Sequence, residues 1–168
     1  MADEKAGRDD SPGLMDAVSA QMVKLTKGEG LTEDAVSEVV RVALREAVDR
    51  GADLGPAAKA VIMGVVRGSG AKGETAQRVL AHAAKAVIHH TADRGGNLAA
   101  AAKGLVLGAI ASAKSMEVDV DKAASTAARG AVEGATTAGQ VTLEQVVAAL
   151  KEPIGGRVVT LPQPLQRA

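Results

Sequence analysis

The sequence predicts an all-α protein of about seven helices, and a repeat of 44 residues is the strongest reason for this prediction. The segment from Val39 to Gly51 aligns without a gap with Ala83 to Gly95, and again with Ala127 to Gly139. A second segment, Asp53 to Gly64, recurs as Asn97 to Gly108. Repeats of this length usually correspond to helical hairpins that bury their apolar faces against one another.

The composition supports a folded helical domain with an unusual core. The 168 residues suit a single domain, and 46% of them are hydrophobic, yet the chain has no Phe, Tyr or Trp. Alanine and glycine make up about a third of the residues. Because large side chains are absent, a dense interior requires helix backbones that lie close together.

Several classes of function are disfavoured by the composition. The 20 basic and 20 acidic residues balance, and there are no aromatic rings on which bases could stack, so we expect no nucleic-acid binding. The absence of cysteine excludes disulfides and thiolate sites. The N-terminal residues are charged and precede no apolar stretch, which is unlike a signal peptide, and we predict a cytoplasmic protein.

The first predicted helix follows a short solvated tail. Residues 1–13 have the charged composition of a disordered end. Residues 14–27 carry apolar side chains at helical spacing, and the run Gly28-Glu29-Gly30 ends them. This helix aligns with the second repeat segment, shifted back by one period.

The first hairpin has a recognisable cap at the start of each helix. Thr32 is the predicted N-cap of the first helix, and Asp53 caps its partner, as Asn97 does one repeat later. Pro56 lies in the first turn of the partner helix, where its missing N–H is not needed. Gly51 is predicted to end the first helix in the left-handed conformation, and its copies at residues 95 and 139 are expected to do the same.

The remaining hairpins run from Thr75 to Met116 and from Asp121 to Glu152. In the last of them, Thr142 to Gln145 matches a capping box and predicts the start of a helix that Pro153 cuts short. The helical domain therefore spans residues 14–156. Three repeats are compatible with either a short stack or a closed bundle.

Residues 157–168 form a C-terminal tail of extended character, since two prolines disfavour helix. We expect the tail to pack on its own helices or on a neighbouring chain. Leu161 and Leu165 are the predicted anchors and the candidate partner-binding residues.

Three pairs of glycines stand four residues apart, and in a helix each pair forms a flat strip that allows a neighbour to approach closely. Each interior glycine costs about 1 kcal/mol of helix propensity relative to alanine, so we expect a packing reason for it. The pairs are Gly64 and Gly68, Gly104 and Gly108, and Gly130 and Gly134.

The histidines give the one cluster that resembles a metal site. His82, His89 and Asp93 fall on one helical stripe, and His89 with Asp93 has a spacing that permits chelation; His90 lies beside them. The corresponding positions in the other repeats are mostly polar, which favours a solvated helix face. We therefore predict no metal and no cofactor, with these residues as the metal candidates.

Cations also recur at repeat positions: Lys59 with Lys103, and Arg41 with Lys85 and Arg129. Such rows could bind an anionic partner. The favoured interpretation is that their methylenes cover alanine-rich surface while their charges pair with nearby carboxylates.

The pattern of Ala83-Ala84-Lys85 leading to a glycine-ended helix, together with the closing Leu150-Lys151-Glu152-Pro153, resembles that of bacterial proteins built from alanine- and glycine-rich helical hairpins of uncharacterised function. The resemblance covers roughly residues 31–155. It implies an all-α repeat fold, and neither an activity nor any site residue.

No catalytic motif occurs in the sequence, and we predict that the protein is not an enzyme. The first hypothesis is a structural or scaffolding protein that acts by self-association as a homo-oligomer or by docking another protein. The alternative is reversible binding to a lipid surface through amphipathic helices such as residues 97–114. A desiccation-type hydrophilin is disfavoured by the hydrophobic content and the regular caps.

Overall fold

The computed structural model describes residues 11–28 and 30–162, and within these ranges it contains seven α-helices and no β-strand. The all-α prediction is thus confirmed. The helices are α1 (Ser11–Lys27), α2 (Glu33–Asp49), α3 (Leu54–Ser69), α4 (Gly73–Asp93), α5 (Leu98–Met116), α6 (Val120–Ala138) and α7 (Gln140–Lys151).

The helices form two layers. One layer holds α1, α3, α5 and α7 in this order, and the other holds α2, α4 and α6, because helices two apart in the chain pack side by side. Consecutive helices pack across the layers. The main contacts of α1 are with α2 and α3, and those of α7 are with α5 and α6. Among the described helices the arrangement is therefore an open stack, not a closed bundle.

Corresponding helix ends lie 44 residues apart in the first two hairpins. Helices α2 and α4 end at Asp49 and Asp93, and helices α3 and α5 begin at Leu54 and Leu98. The grouping of the chain into three hairpin repeats stays a prediction.

The three glycine pairs lie where the most extensive helix contacts are. Gly64 and Gly68 of α3 face α1, and a Cβ built on Gly64 would stand 2.6 Å from the carbonyl oxygen of Met15 and 2.8 Å from the Cβ of Val18. Real Cβ atoms do not approach this closely. The flat strip therefore brings the backbones of α1 and α3 nearer than any side chain would allow.

The other two pairs act in the same way. Gly104 and Gly108 of α5 face α3, where a Cβ on Gly108 would lie 2.8 Å from the carbonyl oxygen of Lys59. Gly130 and Gly134 of α6 face α4, with the backbone of Ala81 and Lys85 directly against them. Every glycine pair thus packs on the helix two before it.

Helices α2 and α4 have no glycine pair between them and pack less extensively than α4 and α6 do. The residues of α4 that correspond to Gly130 and Gly134 are Ala86 and His90. Because His90 carries a large side chain on this face, it keeps α2 and α4 further apart. The gap between them admits polar side chains.

The predicted helix ends are partly confirmed. Gly51 and Gly95 have φ of +79° and +66° after α2 and α4. The following amide, at Ala52 or Gly96, donates to the carbonyl oxygen five residues back, at 2.9 Å in both cases. Gly139 ends α6 as predicted, but not in the left-handed helical conformation, because its φ is 127° and its ψ is 170°. Helix α7 begins directly after it, which requires a sharp change of direction.

The predicted N-caps are also confirmed only in part. Thr32 and Asn97 each accept a backbone N–H three residues on, from Ala35 at 3.1 Å and from Ala100 at 3.0 Å. Asp53 occupies the N-cap position of α3, but its side chain makes no capping hydrogen bond. The residue three positions on is Pro56, which has no N–H to donate.

The capping box predicted at Thr142 is wrong, because α7 already begins at Gln140 and Thr142 lies inside the helix. Helix α1 also begins earlier than predicted, at Ser11 instead of Leu14. Pro12 fits a first helical turn, where its missing N–H is not needed. Of the predicted tail at residues 1–13, residues 11–13 belong to this helix and residues 1–10 lie outside the described residues.

The chain leaves the helices after Lys151 and turns back at once. Ile154 and Arg157 form a pair of backbone hydrogen bonds of 2.8 and 3.1 Å across Gly155 and Gly156, whose φ values are both positive, as a tight hairpin turn requires. Ile154 and Leu161 are buried in the same core cluster as the helices, with Leu161 only 6% exposed. Leu165 lies outside the described residues.

Replacing Gly64 by Ala tests the close approach of α1 and α3. Alanine gains about 1 kcal/mol of helix propensity, but its Cβ overlaps backbone that cannot rotate away. We expect the free energy of unfolding to fall by about 1–2 kcal/mol in urea denaturation. The matched control is Gly13→Ala in α1, where a Cβ meets nothing within 4 Å, and which should leave stability unchanged or raise it. A Gly64→Ala protein as stable as Gly13→Ala would contradict the packing role.

The two caps that lie 44 residues apart form a second matched pair. Asn97→Ala removes a capping hydrogen bond and should lower the free energy of unfolding by about 1 kcal/mol. Asp53→Ala removes no such bond and should cost clearly less. Thermal melts of the two variants followed by circular dichroism measure the difference. Equal losses would show that the bond at Asn97 contributes nothing specific.

Candidate functional site

The first candidate site is a helix face that the layer order leaves open. Helix α6 presents Gly130 and Gly134 to α4, and α4 presents Ala86 and His90 to α2. One repeat earlier the same positions on α2 are Val42 and Glu46. Both are exposed, with Val42 39% accessible, and both line an open groove between α2 and α1.

Helix α1 repeats this situation in the other layer. Arg67 of α3 reaches back to α1, where it donates to Asp16 and Ser19. The residue of α1 that corresponds to Arg67 is Val23, which is exposed. Ala20 and Lys24, which correspond to Gly64 and Gly68, are exposed as well. These residues of α1 are equivalent to the residues by which α3 packs on α1. Helix α1 therefore also lacks a neighbour on this face.

We call these two adjoining faces the end face. Between α1 and α2 it contains a groove of about 260 Å³ with mostly apolar walls and an acidic rim. The end face comprises Leu14, Ala17, Ala20, Gln21, Val23 and Lys24 of α1, and Glu38, Val39, Val42 and Glu46 of α2.

The charges of the end face are separated by helix. The α1 side carries Lys24, whereas the α2 side carries Glu38 and Glu46. Glu38 accepts two hydrogen bonds from the guanidinium of Arg41, at 2.5 and 2.8 Å, and this contact lowers the pKa of Glu38. The end face thus has one lysine on α1, two carboxylates on α2, of which Glu38 is paired with Arg41, and an apolar groove between them.

The second candidate site is the histidine cluster at the end of α4. His89 Nε2 lies 3.4 Å from Asp93 Oδ2, and one ligand atom from each of His89, His90 and Asp93 can be chosen so that all three lie within 4.8 Å of one another. His82 is not part of this cluster, because it lies seven residues, or about 10 Å, further back along the helix. Its Nδ1 lies 3.7 Å from Glu33 Oε2 instead.

The predicted solvated face of α4 is in fact half-buried against α2. His90 Nε2 lies 3.0 Å from Ser37 Oγ across the gap between the two helices. Burial lowers the pKa of His90, and the charges of His89 and Arg41 lower it further. The interpretation as a solvated face therefore holds for Asp93, which is exposed, whereas His82 and His90 are partly buried against α2.

The recurring cations follow the pairing interpretation only in part. Lys85 Nζ lies 2.7 Å from Glu33 Oε1, and Lys103 Nζ lies 2.5 Å from Glu152 Oε2. Lys59 and Arg129 make no ion pair within residues 11–28 and 30–162. An open groove of about 580 Å³ between α1, α3 and α5 is lined partly by the two lysines at residues 59 and 103.

No family model, curated protein or solved structure matches the chain. Among the described helices, only Leu98–Met116 has a length and composition that would allow it to cross a membrane. Of its most apolar 18 residues, 56% are buried inside the protein. The same length and composition occur in the core helices of soluble proteins.

The residues of both candidate sites can be picked out in the sequence. Recognising them as sites required knowledge of which helices pack on one another. The exposed position of Val42 follows from the register of Gly130 and Gly134 once it is known that each helix packs on the one two before it. The contact of Ser37 with His90 joins residues 53 apart and has no local signal.

The Glu33–Lys85 pair predicts a pH-dependent effect on stability. The hydrogen bond from Lys85 lowers the pKa of Glu33 in the folded protein, so the pair stabilises the fold above the ordinary carboxyl pKa of 4.5 and loses this effect as the pH falls below it. We expect Glu33→Gln to lower the melting temperature at about pH 7 and to have little effect near pH 3.

The matched control is Glu74→Gln, which also lies in the first turn of a helix, and so has a comparable effect on the helix dipole. Glu74 makes no ion pair among the described residues. If both variants lose the same stability at neutral pH, the Glu33–Lys85 contact has no effect beyond the helix dipole.

Proposed function

We propose that the chain is a helical scaffold without catalytic activity that associates with a second copy of itself through the end face. The observation that supports the proposal is the exposed position of Val42 on α2. At the equivalent positions, α4 packs on α2 and α6 packs on α4. A face of this kind is suited to receive one further helix.

The charges of the end face favour a second copy as the occupant. A two-fold axis parallel to the helices lays α1 of one copy over α2 of the other, in antiparallel orientation. Lys24 and Glu38 both lie towards the loop that joins α1 and α2, so this arrangement brings Lys24 near Glu38 of the partner subunit. It also places the side chain of Val42 over the small residues of α1.

The size of the end face indicates a weak association. Two helices of 17 residues are about 26 Å long and together about 20 Å wide, which gives roughly 500 Å² per partner. Stable complexes bury about 800 Å² per partner. We therefore expect a reversible dimer with a dissociation constant on the order of micromolar.

The membrane alternative depended on residues 97–114, and no specific observation favours it. Helix α5, which contains nearly all of this segment, packs against four other helices: α3, α4, α6 and α7. Its apolar side chains would have to leave those contacts before they could enter a lipid surface. Scaffolding through the end face requires no such rearrangement.

Analytical ultracentrifugation over about 5–500 μM chain tests the association. Refractive-index optics are required, because the chain has no Trp or Tyr. We expect a concentration-dependent rise toward the mass of a dimer, and we expect Val42→Asp to remain monomeric because it buries a charge at the contact. The matched control is Val141→Asp on α7, where the valine is 68% exposed and lies outside the end face.

Variants with reversed charges test the charge arrangement. Lys24→Glu should weaken association, and Lys24→Glu combined with Glu38→Lys should restore it in part, whereas raised salt should reduce the difference. A strict monomer at the highest concentration would refute self-association. An equal loss in the Val42→Asp and Val141→Asp variants would refute the end face as its location.

A further inference from the structure

Three side chains with metal-binding atoms converge in the last turns of α4, beside α2. One ligand atom from each of His89, His90 and Asp93 lies within 4.8 Å of the other two. His89 and Asp93 stand four residues apart, a spacing at which two side chains of a helix can bind one ion. The two imidazole rings are 5.2 Å apart at their centres and meet edge to face.

The distances suit a small ion. In a tetrahedral site with bonds of about 2.0–2.1 Å, neighbouring ligand atoms are about 3.3 Å apart. His89 Nε2 and Asp93 Oδ2 are already 3.4 Å apart. The ligand atom of His90 lies within 4.8 Å of the other two, so the three groups must draw closer together around an ion.

Ser37 of α2 supplies the supporting contact that metal-bound histidines usually have. His90 Nε2 and Ser37 Oγ are 3.0 Å apart. When Nε2–H donates to Ser37 Oγ, the proton is fixed on Nε2 and the lone pair of Nδ1 is free for a metal. His90 is also half-buried between two helices, which limits the motion of its ring.

The donor set selects the class of ion. Two imidazoles and one carboxylate suit Zn²⁺, Ni²⁺, Co²⁺ or Cu²⁺, whereas Mg²⁺ and Ca²⁺ prefer oxygen ligands alone. Three protein ligands leave at least one position for water or for a group of another molecule.

We propose that His89, His90 and Asp93 form a binding site for one divalent transition-metal ion of the zinc and nickel class, supported by Ser37. The sequence alone favoured the absence of a metal because the corresponding positions in the other repeats are mostly polar, as on a solvated helix face, and its stripe joined His82 to His89 and Asp93. The fold brings a different set together.

Isothermal titration of Zn²⁺ and of Ni²⁺ into the full chain without an affinity tag tests the site. We expect one ion per chain with a dissociation constant on the order of 1–10 μM. His89→Ala and Asp93→Asn should each weaken binding at least about tenfold. The matched control is His82→Ala, which removes a partly buried histidine of the same helix and should leave the affinity unchanged.

A second measurement needs no variant. The chain has three histidines, so the imidazole signals in a two-dimensional ¹H–¹⁵N spectrum can be followed individually during the titration. Zn²⁺ should shift the signals of His89 and His90 and leave that of His82 in place. Absence of binding at about 50 μM chain, unchanged affinity in the His89→Ala protein, or an equal shift of all three histidines would overturn the proposal.

Discussion

Close approach of helix backbones at six glycines is the constraint on which the rest of this fold depends. Each glycine lowers helix propensity by about 1 kcal/mol, so the six together cost about 6 kcal/mol, an amount comparable with the whole stability of a small domain. A chain without aromatic residues has few other means to fill its interior. The packing of one backbone against another must therefore stabilise the fold by more than this cost, and it joins each helix to the one two before it.

Much of the fold could be predicted because equivalent positions in successive repeats can be compared with one another. The helices, the glycine pairs and the caps at Thr32 and Asn97 follow from local rules applied at equivalent positions. The predictions that were wrong share a cause, since a neighbouring residue changed the outcome. Pro56 removes the N–H that Asp53 would cap, and Gly139 joins two helices with no intervening loop, which places Thr142 inside α7.

The candidate sites were harder to predict because they depend on contacts between helices. A stripe drawn along one helix grouped His82 with His89, although about 10 Å separates them along the axis. The glycine pair missing between α2 and α4 explains the position of the polar groups. Where His90 replaces glycine the two helices stand apart, and the space admits Ser37, Glu33 and Lys85. His90 at this position thus loosens the packing and also brings together hydrogen-bonding groups in the layer formed by α2, α4 and α6.

The burial of Ile154, Val159 and Leu161 gives the two ends of the molecule different properties. Gly155 lies against Leu107 and Ile110 of α5, and Arg157 forms an ion pair with Asp121 at the start of α6, so the chain's own tail occupies surface at the C-terminal end of the stack. An end that is already occupied offers little room for another helix. Growth of a linear filament requires both ends to be adhesive, whereas a molecule with one adhesive end forms a closed pair and stops. In the self-association proposed above, the tail would limit the size of the assembly as well as contribute to the core.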